Sequence, residues 1–157
     1  MRLRLQGLDN RWSGIHHVTF VTPDLDGTIR FYRDALGLGL LFVKESRLAP
    51  DDQLWRHCFL DAGNGAALHV FEYSGAVIHP HVPDGRPWFD GGLQQVALSV
   101  PDETALRGLQ EHLRELGIGV SDVEDFGQVR AIHLRDNNGM QLEVACWAED
   151  LAQGPLA

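Results

Sequence analysis

Apolar and polar residues alternate from Ile15 to Thr22, which predicts a strand with Val18 and Phe20 on one face and His17 and Thr19 on the other. Pro23-Asp24 ends it and starts a helix, with Asp24 as N-cap. Leu25, Ile29, Tyr32 and Leu36 then fall at helical spacing, and Gly37 stands where a left-handed residue closes a helix. Leu40 to Val43 reads as a second strand, Ser46 to Asp52 as a polar loop, and Leu54 to Leu60 as a third strand. Gly63-Asn64-Gly65 is a turn signal feeding a fourth strand, Ala67 to Tyr73.

The pattern then repeats. Ile15-His16-His17-Val18-Thr19-Phe20-Val21-Thr22-Pro23-Asp24 returns as Leu93-Gln94-Gln95-Val96-Ala97-Leu98-Ser99-Val100-Pro101-Asp102. A strand over 93–100 leads into a helix over 103–116 with a Leu106, Leu109, Leu113, Leu116 stripe. Short strands follow near 118–123, 129–134 and 140–147. Two copies are too few for a solenoid. They predict an α+β domain of two βαβββ modules, a curved mixed sheet around a cleft with the helices on the outer face. Residues 1–13 read as an N-terminal arm, 14–74 as the first module and 75–91 as a Pro-, Gly- and His-rich linker. Residues 92–147 form the second module and 148–157 a C-terminal tail, one domain in all.

Strand parity decides which polar residues share a face. Leu68 and Val70 go to the helix side of the fourth strand, leaving His69, Phe71 and Tyr73 opposite. Val96, Leu98 and Val100 pack inward, which turns Gln95 outward with Ala97 and Ser99. In the last strand Leu142, Val144 and Cys146 pack on the helix, and Gln141, Glu143 and Ala145 do not. The helix-free face therefore carries His17, His69, Gln95 and Glu143. Neutral imidazoles with a carboxylate and an amide oxygen suit a divalent metal ion: Fe(II), Zn, Mn or Ni. The plain alternative is four unrelated polar residues on a half-solvated sheet.

Composition narrows the partners. A net charge of −9 over 157 residues argues against nucleic acid, and no apolar run approaches the roughly 18 residues of a membrane span. A soluble, cytoplasmic protein with a small-molecule substrate is expected. Cys58 and Cys146 lie in apolar strands and read as buried free thiols, with a disulfide as the alternative.

The chain resembles the vicinal oxygen chelate superfamily, which includes glyoxalase I, fosfomycin-resistance enzymes, extradiol dioxygenases and bleomycin-binding proteins. Ile15-His16-His17-Val18 through Pro23-Asp24-Leu25, Phe31-Tyr32-Arg33-Asp34-Ala35-Leu36-Gly37 and Asp136-Asn137-Asn138-Gly139-Met140-Gln141-Leu142-Glu143 carry the resemblance, over roughly 14–147. It implies His17 and Glu143 as first- and last-strand ligands. Gln95 stands where many members have a second His, and His69 stands where glyoxalase-like members use Glu and epimerase-like members Gln. It also implies a homodimer, in which some members build each site from two chains.

The remaining candidates follow from position. His57 on the third strand is a candidate acid/base group, and Glu143 a candidate proton carrier as well as ligand. Phe71, Tyr73 and Trp147 are placed to wall a pocket for a planar substrate, with plain packing as the alternative. Arg130 is a candidate for meeting an anionic substrate. His16 should point to the helix side, packed or hydrogen-bonded, and Glu72 should be a surface or helix-contact residue. His79 and His81 form a His-x-His pair, on the surface or at a pocket rim. The parity of His133 is ambiguous. The favoured function is a divalent-metal-dependent, dioxygenase-like enzyme acting on a small oxygen-chelating metabolite. The alternatives are a glyoxalase-type lyase or isomerase, and a non-catalytic small-molecule (drug) binding protein.

Overall fold

The computed structural model describes residues 14–48, 53–76 and 95–148. The terminal arm and tail, most of the linker, and His79 and His81 lie outside the described residues. The first module runs β1 (His17–Thr22), α1 (Leu25–Arg30), β2 (Gly39–Leu48), β3 (Gln53–Gly63) and β4 (Ala66–Glu72). The second runs β5 (Val96–Ser99), α2 (Glu103–Glu115), β6 (Glu124–Asp125), β7 (Val129–Arg135) and β8 (Gln141–Trp147). Each module makes a four-stranded mixed sheet, ordered β1-β4-β3-β2 and β5-β8-β7-β6. The first strand of each module pairs in parallel with the last, and the others are antiparallel. This is the expected α+β duplication, with two open sheets and no closed barrel.

Local chemistry accounts for the helices. The Asp24 carboxylate accepts from the Gly27 amide at 2.8 Å, and Asp102 repeats the cap on the Ala105 amide at 2.8 Å. A Cβ on Gly27 would collide with the Asp24 carboxylate, so this cap calls for glycine. Helix α1 widens into a π-helical turn over Phe31–Ala35, and Gly37 then closes it at φ 74°. Leu25, Ile29, Tyr32, Leu106 and Leu113 are buried in a core cluster shared by both modules. Each fully buried aliphatic side chain there contributes about 1.5–3 kcal/mol.

Four sequence expectations need correction. The second strand is longer than Leu40–Val43: Ser46 and Arg47 lie in β2, opposite Trp55 and Leu54, where a polar loop was expected. This is an edge strand, so solvent-facing polar residues do not end it. The strand expected near 118–123 is reduced to a bridge between Val120 and Leu134, beside Gly117 and Gly119, and β6 follows it. Leu116 is 51% exposed, beyond the last turn of α2 and off the buried stripe. His16 is exposed and not packed on the helix side, and the hydrogen-bonded alternative holds, with its Nδ1 2.8 Å from Nδ1 of His17.

The modules are joined through α1 and the turn before β8. The Tyr32 hydroxyl donates to Asp136 Oδ2 at 2.9 Å, and Thr22 Oγ1 donates to Asn138 Oδ1 at 2.9 Å. Asn138 Nδ2 returns a bond to Thr28 Oγ1 at 3.1 Å. Glu72 serves α1 from the adjacent strand, accepting from the Leu25 amide and from Arg56, both at 3.1 Å. Both cysteines are free and buried. Burial pushes the Cys58 thiol up to about 11 and raises that of Cys146. Among the described residues no helix is long and apolar enough to cross a membrane.

Candidate metal centre

Strand alternation puts the expected residues where parity sends them. In the first module β1 and β4 bring His17 and His69 to the helix-free face, with ring centroids 5.7 Å apart. Two imidazoles at that separation can reach one cation, given bonds of about 2.1 Å to each nitrogen. His69 is held between Phe59, stacked at 4.0 Å, and Phe71 at 4.2 Å. Burial first, then the neighbouring His57 and His17, hold His69 down to about 4. It is therefore neutral at pH 7, the form a metal ligand requires.

His57 shares this face but is only 8% exposed. Its Nδ1 lies 3.0 Å from His69 Nε2 and its Nε2 lies 2.8 Å from Ser46 Oγ. The ring stacks on Phe71 at 5.1 Å. Burial, then Lys44, lower its pKa. Trp55 lies against Tyr73 with rings tilted at 5.2 Å and meets Phe71 edge-on at 6.3 Å.

The second module supplies the acid. Gln95 Nε2 donates to Glu143 Oε2 at 2.6 Å, and Gln141 Nε2 donates to Gln95 Oε1 at 3.1 Å. His133 stands opposite Glu143 in the β7–β8 ladder, its Nε2 3.2 Å from the same Oε2 and its Nδ1 3.3 Å from Glu124. Sequence reading left His133 unassigned. The signal was present in its flanks, since Ile132 and Leu134 are both buried and force His133 to the other face. A cavity of about 250 Å³ beside Glu143 is lined by Ala97, Ser99, Val129, Ala145 and Trp147. Arg130 faces carboxylates instead of open space, with Glu103 at 3.0 Å and Asp125 at 3.4 Å.

The donors thus stand as two halves, His17 with His69 and Gln95 with Glu143. Among the described residues no three or more His, Cys, Asp or Glu side chains gather closely enough within one chain to hold a metal ion. In kind the set suits a divalent cation: two imidazoles, one carboxylate and one amide oxygen.

The sequence profile of the Glyoxalase/Bleomycin resistance protein/Dioxygenase superfamily matches residues 14–144. The chain belongs to that superfamily. A curated relative, the putative ring-cleaving dioxygenase MhqA of Bacillus subtilis (strain 168), is 27% identical over 147 residues. That match takes in 90% of this chain but only 43% of MhqA, so the chain spans less than half of that relative. Among solved structures, a superfamily domain from Frankia sp. EAN1pec is 25% identical with TM-score 0.65, covering 87% of this chain and 99% of that one. Lactoylglutathione lyase from Agrobacterium tumefaciens is 21% identical with TM-score 0.60, covering 86% and 94%. The fosfomycin resistance protein FosX from Listeria monocytogenes, solved with Mn(II) and a dihydroxypropylphosphonic acid, is 14% identical with TM-score 0.62, covering 88% and 96%. The last two likenesses establish the fold alone. The proteins it resembles thus carry names of a dioxygenase, a lyase and a drug-resistance protein.

Proposed function

We propose that this superfamily member is a divalent-metal-dependent, dioxygenase-like enzyme whose site forms when the first-module half of one chain meets the second-module half of another. The observation that carries the reading is the pairing of His17 and His69, ring centroids 5.7 Å apart, with a carboxylate on the other sheet already held by Gln95 and His133. His17, His69 and Glu143 would hold the cation, with Gln95 beside them. The cation would supply a Lewis acid that neutralises charge on two adjacent substrate oxygens, with positions open to them.

Support for a two-chain site comes from the sheets. Strands β1 and β5 are each the edge of their own sheet, and such edges call for cover. The described chain leaves apolar side chains open nearby, with Val21 at 48% and Trp147 at 41% exposed. A second copy would cover both edges, and a symmetric pair would make two equal sites. Trp55, Phe71 and Tyr73 of one copy would then face Trp147 of the other, walls suited to an aromatic ring bearing adjacent oxygens. Gln95 and His133 fix the angle of the Glu143 carboxylate, so little reorganisation is needed on binding.

The test begins with metal-free protein lacking a polyhistidine tag, titrated anaerobically with Fe(II), Mn(II) and Zn(II). About one equivalent per chain is expected for at least one of them, lost in His69→Ala and Glu143→Gln. The iron-loaded protein should then consume oxygen with a catechol or hydroquinone and produce a ring-opened product. Tight metal without oxygen uptake would favour the lyase or isomerase chemistry. Less than about 0.1 equivalent of any metal would leave a binding protein, since lost first ligands cost more than the 10–100-fold of outlying ones.

A further inference from the structure

His57 shares the sheet face of His69. It is buried, with both ring nitrogens engaged, in a row that runs Ser46, His57, His69. The register explains the row: Phe59 stands opposite His69 and His57 opposite Phe71, so His57 and His69 are diagonal neighbours on one face. Ser46 reaches the far nitrogen from the edge strand β2, whose extension past Val43 makes this contact available.

A neutral imidazole carries one N–H, so two proton patterns satisfy the row. In one, His69 Nε2–H donates to His57 Nδ1, and His57 Nε2–H donates to Ser46 Oγ. In the other, Ser46 donates to His57 Nε2, and His57 Nδ1–H donates to His69 Nε2. The first leaves His69 Nδ1 with a bare lone pair. The second puts a proton on His69 Nδ1 and occupies Nε2, so neither nitrogen can take a cation.

We infer that His57 is a positioning residue that, backed by Ser46, accepts the His69 Nε2 proton and so presents His69 Nδ1 as the metal-binding nitrogen. This rests on the reading of His69 as a ligand given above. A ligand histidine whose second nitrogen donates to a fixed acceptor is locked in tautomer and ring angle, and loss of such an acceptor typically costs 10–100-fold in metal affinity. The stack on Phe71 and the edge contact with Phe42 at 6.2 Å hold the His57 ring without needing its nitrogens. Packing and hydrogen bonding can therefore be separated by substitution.

The experiment measures Co(II) affinity by competition with a chromophoric chelator for wild type, His57→Phe, His57→Asn and His69→Ala. His57→Phe keeps an aromatic ring but no acceptor, and should bind Co(II) about 10–100-fold more weakly. His57→Asn puts an amide oxygen near the Nδ1 position and should recover most of that loss. Nitrogen-15 NMR of the zinc-loaded wild type should show His69 protonated at Nε2 and bare at Nδ1. Wild-type affinity in His57→Phe, an equal loss in His57→Asn, or a proton on His69 Nδ1 would each overturn the inference. If His69→Ala itself binds as wild type does, the ligand reading fails first. The tautomer measurement needs no variant, so a misfolded substitution does not shelter the idea.

Discussion

Removing one oxygen from Tyr32 tests how the two modules are fastened. Tyr32 is fully buried and its hydroxyl donates to Asp136 Oδ2 at 2.9 Å, while Asp136 is 6% exposed. The other carboxylate oxygen accepts the Asn138 and Met140 amides, both at 2.8 Å. Tyr32→Phe therefore leaves one oxygen of this buried carboxylate without its hydroxyl partner. A hydrogen bond to a charged group contributes about 1.5–3 kcal/mol, and that loss is expected here. In a domain of this size it should lower Tm by roughly 3–12 °C. In an Asp136→Asn background the acceptor is neutral and the same removal should cost only about 1 kcal/mol. Urea unfolding followed by tryptophan fluorescence measures all four proteins, at one protein concentration because any pairing of chains would add to stability. A Tyr32→Phe protein within about 0.5 kcal/mol of wild type, or strict additivity with Asp136→Asn, would refute the buried charge-assisted bond.

Two further outcomes follow from titrating groups. His69 is held down to about 4 in the folded metal-free protein, against about 6.5 for an unfolded histidine, so the unfolded chain binds the extra proton between those values. Stability in the presence of a chelator should fall as pH drops from about 6.5 toward 4, and His69→Gln should flatten that fall; an unchanged slope would contradict it. Cys58 is fully buried with its thiol pushed up to about 11, so it should resist a disulfide reagent at pH 8 until the protein unfolds. Rapid modification of the native Cys58→Ala and wild-type proteins at equal rates would assign any reactivity to Cys146, whereas a rate lost in Cys58→Ala would contradict the burial.

The faces of the strands were legible because side chains alternate strictly and one side of each sheet is buried. Val18, Leu68, Val96 and Leu142 point to the helices, and that alone turns His17, His69, Gln95 and Glu143 the other way. The Asp24 cap was equally plain, since its carboxylate needs only its own helix's first amides. What alternation does not report is the partner across a register. Ser46 belongs to an edge strand whose polar composition reads as loop, and its bond to His57 depends on how β2 and β3 are aligned. The pairing of Arg130, a candidate for meeting an anionic substrate, with Glu103 was not legible because Glu103 lies on a different element. Neither could sequence show that the two half-sets stay apart in one chain, because that depends on how α1 meets the turn at Asp136.

The most direct measurement mixes two broken chains. His69→Ala and Glu143→Ala each spoil one half of the set, and each alone should bind no metal. Co-expressed and purified together, random pairing makes half the dimers mixed, and in each mixed dimer one site inherits both intact halves. The mixture should then bind about one quarter of the wild-type metal, with both single variants still paired and folded. No binding by mixed dimers shown to have formed would contradict a site shared between two chains.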